Sequence, residues 1–146
     1  MTRLMKSAVF AAAMALASPV LGEGVVHRVA VHIDQNDPQV MNMVLNNVAN
    51  LHSYYASVGD TAVVEVVAYG PGLQMYVEGK SPVADRIAAM SLELPDVTFS
   101  ACANTLDAME AKAGAKVPLI SEARMTPSGV VRLIELQEEG FAYVRP

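Results

Sequence analysis

The chain has 146 residues, with ten Lys and Arg against fifteen Asp and Glu, three His and one Cys, and a formal net charge of −5. Its length fits a single domain able to bury a core without staples, and the acidic balance, with no basic cluster, argues against nucleic acid and anionic membrane as partners. One cysteine excludes an intrachain disulfide, a thiolate metal site and a two-cysteine redox motif.

The first 22 residues have the layout of a secretory signal peptide. Arg3 and Lys6 precede an uncharged apolar run from Ser7 to Ala17, and Ser18-Pro19-Val20-Leu21-Gly22 supplies small residues for cleavage. The run falls short of the roughly 20 apolar residues that span a bilayer. Cleavage after Gly22, or alternatively after Ala17, predicts a periplasmic or secreted protein whose single domain covers 23–146, with no membrane span in the mature chain. Arg3 and Lys6 leave with the leader and no acidic residue does, so the mature charge becomes −7. A lone thiol in an oxidising compartment is a liability unless it is buried or used.

The mature part alternates strand-like and helix-like stretches. His27 to Asp34 reads as a strand, with Val29, Val31 and Ile33 on one face and Ala30 and His32 on the other. Asp37-Pro38 has the form of an N-cap followed by proline at the first helical position. The helix it opens runs to about Ser57, its core stripe being Val40, Val44, Val48, Leu51 and Tyr55. No Asp, Glu, Lys or Arg occurs between Pro38 and Gly59, and the outer face presents Asn42, Met43, Asn46, Asn47, Asn50 and Tyr54. Exposed helices normally carry charge, so this face is expected to pack against another subunit.

Ala62 to Tyr69 is almost continuously apolar, as in a strand covered on both faces. It ends at the turn Gly70-Pro71-Gly72, after which a helical stretch is expected near Leu73 and another from Val83 to Met90. Val97 to Cys102 is the third strand. Asn104 is expected to cap the next helix, through Leu106, Met109 and Ala113 to Gly114. Val117 to Ile120 is a weaker strand, because Pro118 suits only a strand start or an edge. Thr126-Pro127 opens the last long helix, with an expected stripe of Val130, Val131, Ile134 and Leu136-Gln137 ending at Gly140, and Phe141 to Val144 is a final strand. This order predicts an α/β fold, a three-layer α/β/α sandwich around a five-stranded, mostly parallel sheet.

Open parallel sheets gather their chemistry at the carboxyl ends of the strands. Those ends are Asp34, Tyr69-Gly70, Cys102-Ala103 and the region Glu122 to Arg124. Cys102 also precedes a helix, whose unpaired amides and dipole favour thiolate, the nucleophilic form. Free cysteine is equally at home as a small buried hydrophobe. Gly70, Pro71 and Gly72 form either a backbone nest for an anion or a turn that needs glycine. Arg124 either faces Cys102 as a charge partner or is an ordinary loop arginine. His27, His32 and His52 lack metal-site spacing, although His32 and Asp34 share a strand face. No hydrolase elbow, phosphate loop or dinucleotide fingerprint is present.

Four stretches carry a family resemblance. They are Val44-Leu45-Asn46-Asn47-Val48-Ala49-Asn50-Leu51, then Val66-Val67-Ala68-Tyr69-Gly70-Pro71-Gly72-Leu73, then Phe99-Ser100-Ala101-Cys102-Ala103-Asn104-Thr105-Leu106, and last Pro127-Ser128-Gly129-Val130 leading to Gly140-Phe141-Ala142-Tyr143-Val144. In this order they resemble the DsrE/DsrF-like family over essentially the whole chain after the leader. The resemblance implies a three-layer domain assembled as a homo-oligomer, a trimer or hexamer. It also implies a sulfur-relay role, in which a cysteine after the third strand carries sulfane sulfur as a persulfide between a donor and an acceptor protein. By position that cysteine is Cys102, with Asn104, Thr105, Arg124 and the Gly70 to Gly72 turn around it. Such transfer needs no cofactor and no metal. The relay members are cytoplasmic and often hetero-oligomeric, which this chain with its leader is not expected to be. The competing expectation is a non-catalytic, homo-oligomeric small-ligand-binding module with a structural cysteine.

Overall fold

A computed structural model describes residues 24–146; the expected leader lies outside the described residues. Five strands form one sheet: β1 (Val26–Ile33), β2 (Thr61–Ala68), β3 (Val97–Cys102), β4 (Ala123–Thr126) and β5 (Ala142–Val144), in the order β4-β3-β2-β1-β5. Every ladder between them is parallel. The helices are α1 (Pro38–Ser57), α2 (Ala84–Glu93), α3 (Ala103–Ala113) and α4 (Gly129–Glu138), with a 3-10 segment at Gly70–Tyr76. The expected α/β fold is therefore present, with a wholly parallel sheet.

The larger core lies between the sheet and α1, the 3-10 segment, α2 and α3. Val29, Val31 and Ile33 of β1 meet Met41, Val44, Leu45 and Val48 of α1, with Val64 and Val66 of β2 and Phe99 of β3. Leu45 loses all its exposure here, and burying such a side chain contributes about 1.5–3 kcal/mol. Asp37 caps α1 as expected, its Oδ1 accepting from the Gln39 amide at 2.7 Å. The phenol of Tyr76, fully buried, donates to the Val66 carbonyl at 2.8 Å and so pins the 3-10 segment beneath the sheet.

Among the described residues, the opposite face is covered by α4 alone. Leu133 and Leu136 pack on Ala30 and Val67, with Tyr69 and Phe141 at the margins. The expected stripe of Val130, Val131 and Ile134 is instead turned outward and about half exposed. The reason is electrostatic as well as geometric. Arg132 must face the sheet to reach Glu65, where its Nε and Nη2 donate to the two carboxylate oxygens at 2.9 and 2.8 Å, while the Ser100 hydroxyl donates to the same carboxylate at 2.6 Å. Arg132, Leu133 and Leu136 share that side of the helix, which sends the branched residues to solvent.

Four further expectations are corrected. The fourth strand is Ala123–Thr126, not Val117 to Ile120; Pro118 brings no amide to a ladder, and Leu119 makes only an isolated antiparallel bridge to Val77. The Gly70 to Gly72 turn is itself the start of the 3-10 segment, so no separate helix begins at Leu73. The last helix starts at Gly129 with Ser128 at its N-cap, three residues after Thr126, because Thr126 is still paired with Cys102 in the sheet. Asn104 does not cap α3: Cys102 holds the N-cap position in extended backbone, and Asn104 lies inside the first turn.

Candidate functional site

The chain steps β1-β2-β3-β4 in one direction across the sheet, then returns past β1 to place β5 at the far edge. β3 leads into α3, whose Leu106 and Met109 join the larger core, whereas β4 leads into α4 on the other face. The connections leaving the adjacent strands β3 and β4 thus diverge to opposite sides. Such a switch point opens a crevice at the carboxyl ends of the strands. Cys102, paired with Thr126, is the last residue of β3 at this place.

Two helix N-termini converge on it. Cys102 is the N-cap of α3, so the amides of Asn104 and Thr105 sit over its sulfur, and α4 brings the Gly129 amide from the other layer. Gly129 allows this approach because it has no side chain. A Cβ there would stand 2.9 Å from the Cβ and Cδ1 of Tyr69 and 3.2 Å from the Cβ of Cys102. Burial pushes the Cys102 thiol up, but the Thr105 hydroxyl and the amides of Gly129, Thr105 and Asn104 outweigh it and hold the thiol below its ordinary range. The thiol itself makes no capping hydrogen bond; the donors around it favour the anion. The residue retains 4% of its surface.

Thr105 links the expected glycine turn to the cysteine. Its Oγ1 accepts the Gly70 amide at 2.9 Å, which leaves the hydroxyl proton to point at sulfur. The Gly72 amide is spent on the Tyr69 carbonyl at 3.2 Å, and Pro71 has no amide to offer. The Gly70 to Gly72 turn is therefore no free anion nest. Its role is to orient Thr105 and to let the chain pass close to the Ile33 carbonyl and Asp34 at the end of β1. Gly70, Pro71 and Thr105 also line a groove of about 280 Å³ with Gln74, Met109 and Lys112.

Arg124 sits opposite Ser100, two register positions before Cys102, and its charge is felt at Glu65. It lines a separate groove with Pro95, Val97 and Ser121 toward the start of β3. Of the expected site residues, the structure brings Cys102, Asn104, Thr105 and Gly70 together; Pro71 and Gly72 stand behind them, and Arg124 faces the Glu65 network.

Five residues outside the expected site set, Asp34, Tyr69, His32, Tyr143 and Arg145, complete the edge. The register aligns Asp34, Tyr69 and Cys102 across β1, β2 and β3, continuing the pairs Ile33–Ala68 and Ala68–Ala101. The ring of Tyr69 stacks on His32 with centroids 4.5 Å apart, and His32 Nδ1 bonds the Tyr143 hydroxyl at 2.7 Å. Arg145 closes the row with a 2.9 Å ion pair to Asp34. Burial holds the His32 imidazolium down and the Tyr69 phenol up, so both are neutral near neutral pH. His32 is buried, and its Nε2 has no hydrogen-bond partner among the described residues. One sequence signal for this cluster existed: His32, Tyr69 and Tyr143 lie at the carboxyl ends of strands. Gly129 could have been found only through the contact itself.

A model of the DsrE/DsrF-like family matches residues 27–146. The chain belongs to the DsrE/DsrF-like family. Among solved structures it is similar to MTH1491 from Methanobacterium thermoautotrophicum, a protein of unknown function. The two are 30% identical with a TM-score of 0.69, over 82% of this DsrE/DsrF-like chain and 99% of the other. No curated protein matches it. Among the described residues, no helix is long and apolar enough to cross a membrane.

Proposed function

We propose that this DsrE/DsrF-like protein is an exported sulfur carrier that holds sulfane sulfur as a persulfide on Cys102. The observation that supports the reading best is the convergence of the α3 and α4 amides and the Thr105 hydroxyl on the chain's one thiol. In the loading step the Cys102 thiolate attacks the outer sulfur of a donor persulfide. A new S–S bond forms, the donor's S–S bond breaks, and the donor leaves as a thiolate. In the unloading step an acceptor thiolate attacks the outer sulfur of the Cys102 persulfide, which restores the Cys102 thiolate. Electrons balance within the exchange, and the same amides and hydroxyl that favour the thiolate favour the persulfide anion.

Incubation of the mature protein with a sulfane-sulfur donor, followed by intact mass measurement, tests this. Wild type should gain sulfur and Cys102→Ala should not; equal gain by both, or none by wild type, rejects the reading. The leader-like first 22 residues support export, and N-terminal sequencing of protein from the envelope fraction checks it. The carrier is a homo-oligomer in this reading. One helix about 10 Å wide cannot cover a five-stranded sheet, and α4 turns Val130, Val131 and Ile134 outward.

The 4% exposure of Cys102 favours a second reading, a non-catalytic ligand-binding oligomer with a structural thiol. Slow labelling of the native protein by a small thiol reagent, with fast labelling after denaturation, would select it.

A further inference from the structure

The Glu65–Arg132 pair is built like a fastener. Glu65 and Ser100 are both buried, and the Glu65 carboxylate takes the two-pronged Arg132 fork on one side and the Ser100 hydroxyl on the other. Arg132 Nη1 also reaches Glu139 at 3.1 Å. Ser100 lies two residues before Cys102 on the same face of β3, and Arg132 lies one turn after Gly129 in α4. The bonded path therefore leaves β3 at Ser100, crosses to β2 and α4, and returns to β3 where Gly129 meets Cys102. Among the described residues, two leucines make up the rest of α4's buried apolar contact with the sheet, so the ion pair is the directional tie between this helix and the sheet.

We propose that Glu65 and Arg132 are positioning residues for Cys102: without touching the sulfur, they fix α4 at the angle and height that press its first-turn amide against it. The inference deepens the carrier reading and rests on it for its purpose, though not for its test. A bidentate fork specifies orientation in a way that a lysine or two leucines do not. The Gly129 approach is also tight enough that a small rotation of α4 would open it.

The charged and titratable groups on the elements packed around Cys102 are Glu65 and Tyr69 from β2, His32 and Asp34 from β1, Tyr143 and Arg145 at β5, Arg124 from β4 and Arg132 from α4. The first turn of α3 carries no acidic residue. Loss of the Glu65 charge alone would leave these neighbours more positive and lower the thiol midpoint. Loss of the tie would raise it. The sign separates the two effects.

The test follows alkylation of Cys102 by iodoacetamide against pH in wild type, Glu65→Gln and Arg132→Lys, with circular dichroism as the check on folding. Both variants should show a higher midpoint, so that alkylation below it slows by roughly threefold for each half unit. Arg132→Lys keeps the charge and serves where Glu65→Gln does not fold. Removing the remote Lys116–Glu110 pair with Lys116→Ala should leave the midpoint unchanged. Folded variants with the wild-type midpoint, or a lower one, overturn the proposal. Sulfur uptake by mass is read separately: a wild type that takes up no sulfur while the midpoints shift as stated would sink the carrier reading and leave the positioning role standing.

Discussion

Gly129 lies so close to Cys102 that the Cβ of any other residue there would stand 3.2 Å from the cysteine's own Cβ, and closer still to Tyr69. The contact joins two layers of the sandwich at one sulfur atom. It makes position 129 the most sensitive point in the site outside the cysteine.

Gly129→Ala is therefore expected to push α4 away from β3. Overpacking of this kind costs about 1–3 kcal/mol, and the Cys102 thiol should titrate at higher pH as the α4 amide withdraws. Denaturant unfolding and thiol alkylation against pH measure the two effects; an unchanged midpoint would mean that the Gly129 amide contributes nothing.

Thr105 offers a cleaner electrostatic test. Thr105→Val keeps the shape and removes the hydroxyl that the Gly70 amide turns toward sulfur. The Cys102 midpoint should rise, because the hydroxyl is the first of the donors that hold it down, and Thr105→Ser should restore most of the loss. If Val and Ser behave alike, the hydroxyl plays no part.

Stability should fall in two stages on acidification. Burial lowers the folded pKa of His32 and His52 below 6.5, so the stability tied to their neutral forms is complete above 6.5 and is lost as pH falls through the lowered values. Glu65 is held below its usual 4.5 despite burial, by bonds from Arg132 and Ser100, so its contribution is present above 4.5 and disappears at lower pH. His32→Phe, which preserves a ring against Tyr69, should shrink the first stage to the part that His52 carries and leave the second. Thermal unfolding as a function of pH reads both.

The outward stripe of α4 predicts self-association. Val131→Glu and Ile134→Glu place charge on residues that are about half exposed in the single chain, so each should leave the fold intact and convert the oligomer to monomer at micromolar concentration. Sedimentation of wild type as a monomer would remove the basis of this expectation.

Much of the frame was legible from residue patterns. The β-branched runs of β1 and β2, the Asp37-Pro38 start of α1 and the Gly114 end of α3 are local signals, and each appears where expected. The failures have a common cause in nonlocal competition. Val117 to Ile120 has better strand propensity than Ala123-Arg124-Met125-Thr126, yet Pro118 cannot fill the ladder beside β3 and the later segment can. Val130, Val131 and Ile134 form a convincing apolar stripe until Arg132 is seen to need Glu65. Within the site, Cys102 and Thr105 were accessible from position in the chain. The Gly129 approach and the stack of His32 on Tyr69 depend on strand order, which no local pattern encodes.

The divergence of the chain after β3 and β4 also dictates which address on β3 can host this chemistry. A thiol transplanted one place earlier, to Ala101, would point into the opposite apolar layer, where that position has no exposure at all. One place later, at Ala103, it would be swept into the turn of α3. Only the terminal residue of the strand hears both helices at once, so the location of the sulfur is a property of the winding of the chain before it is a property of the cysteine.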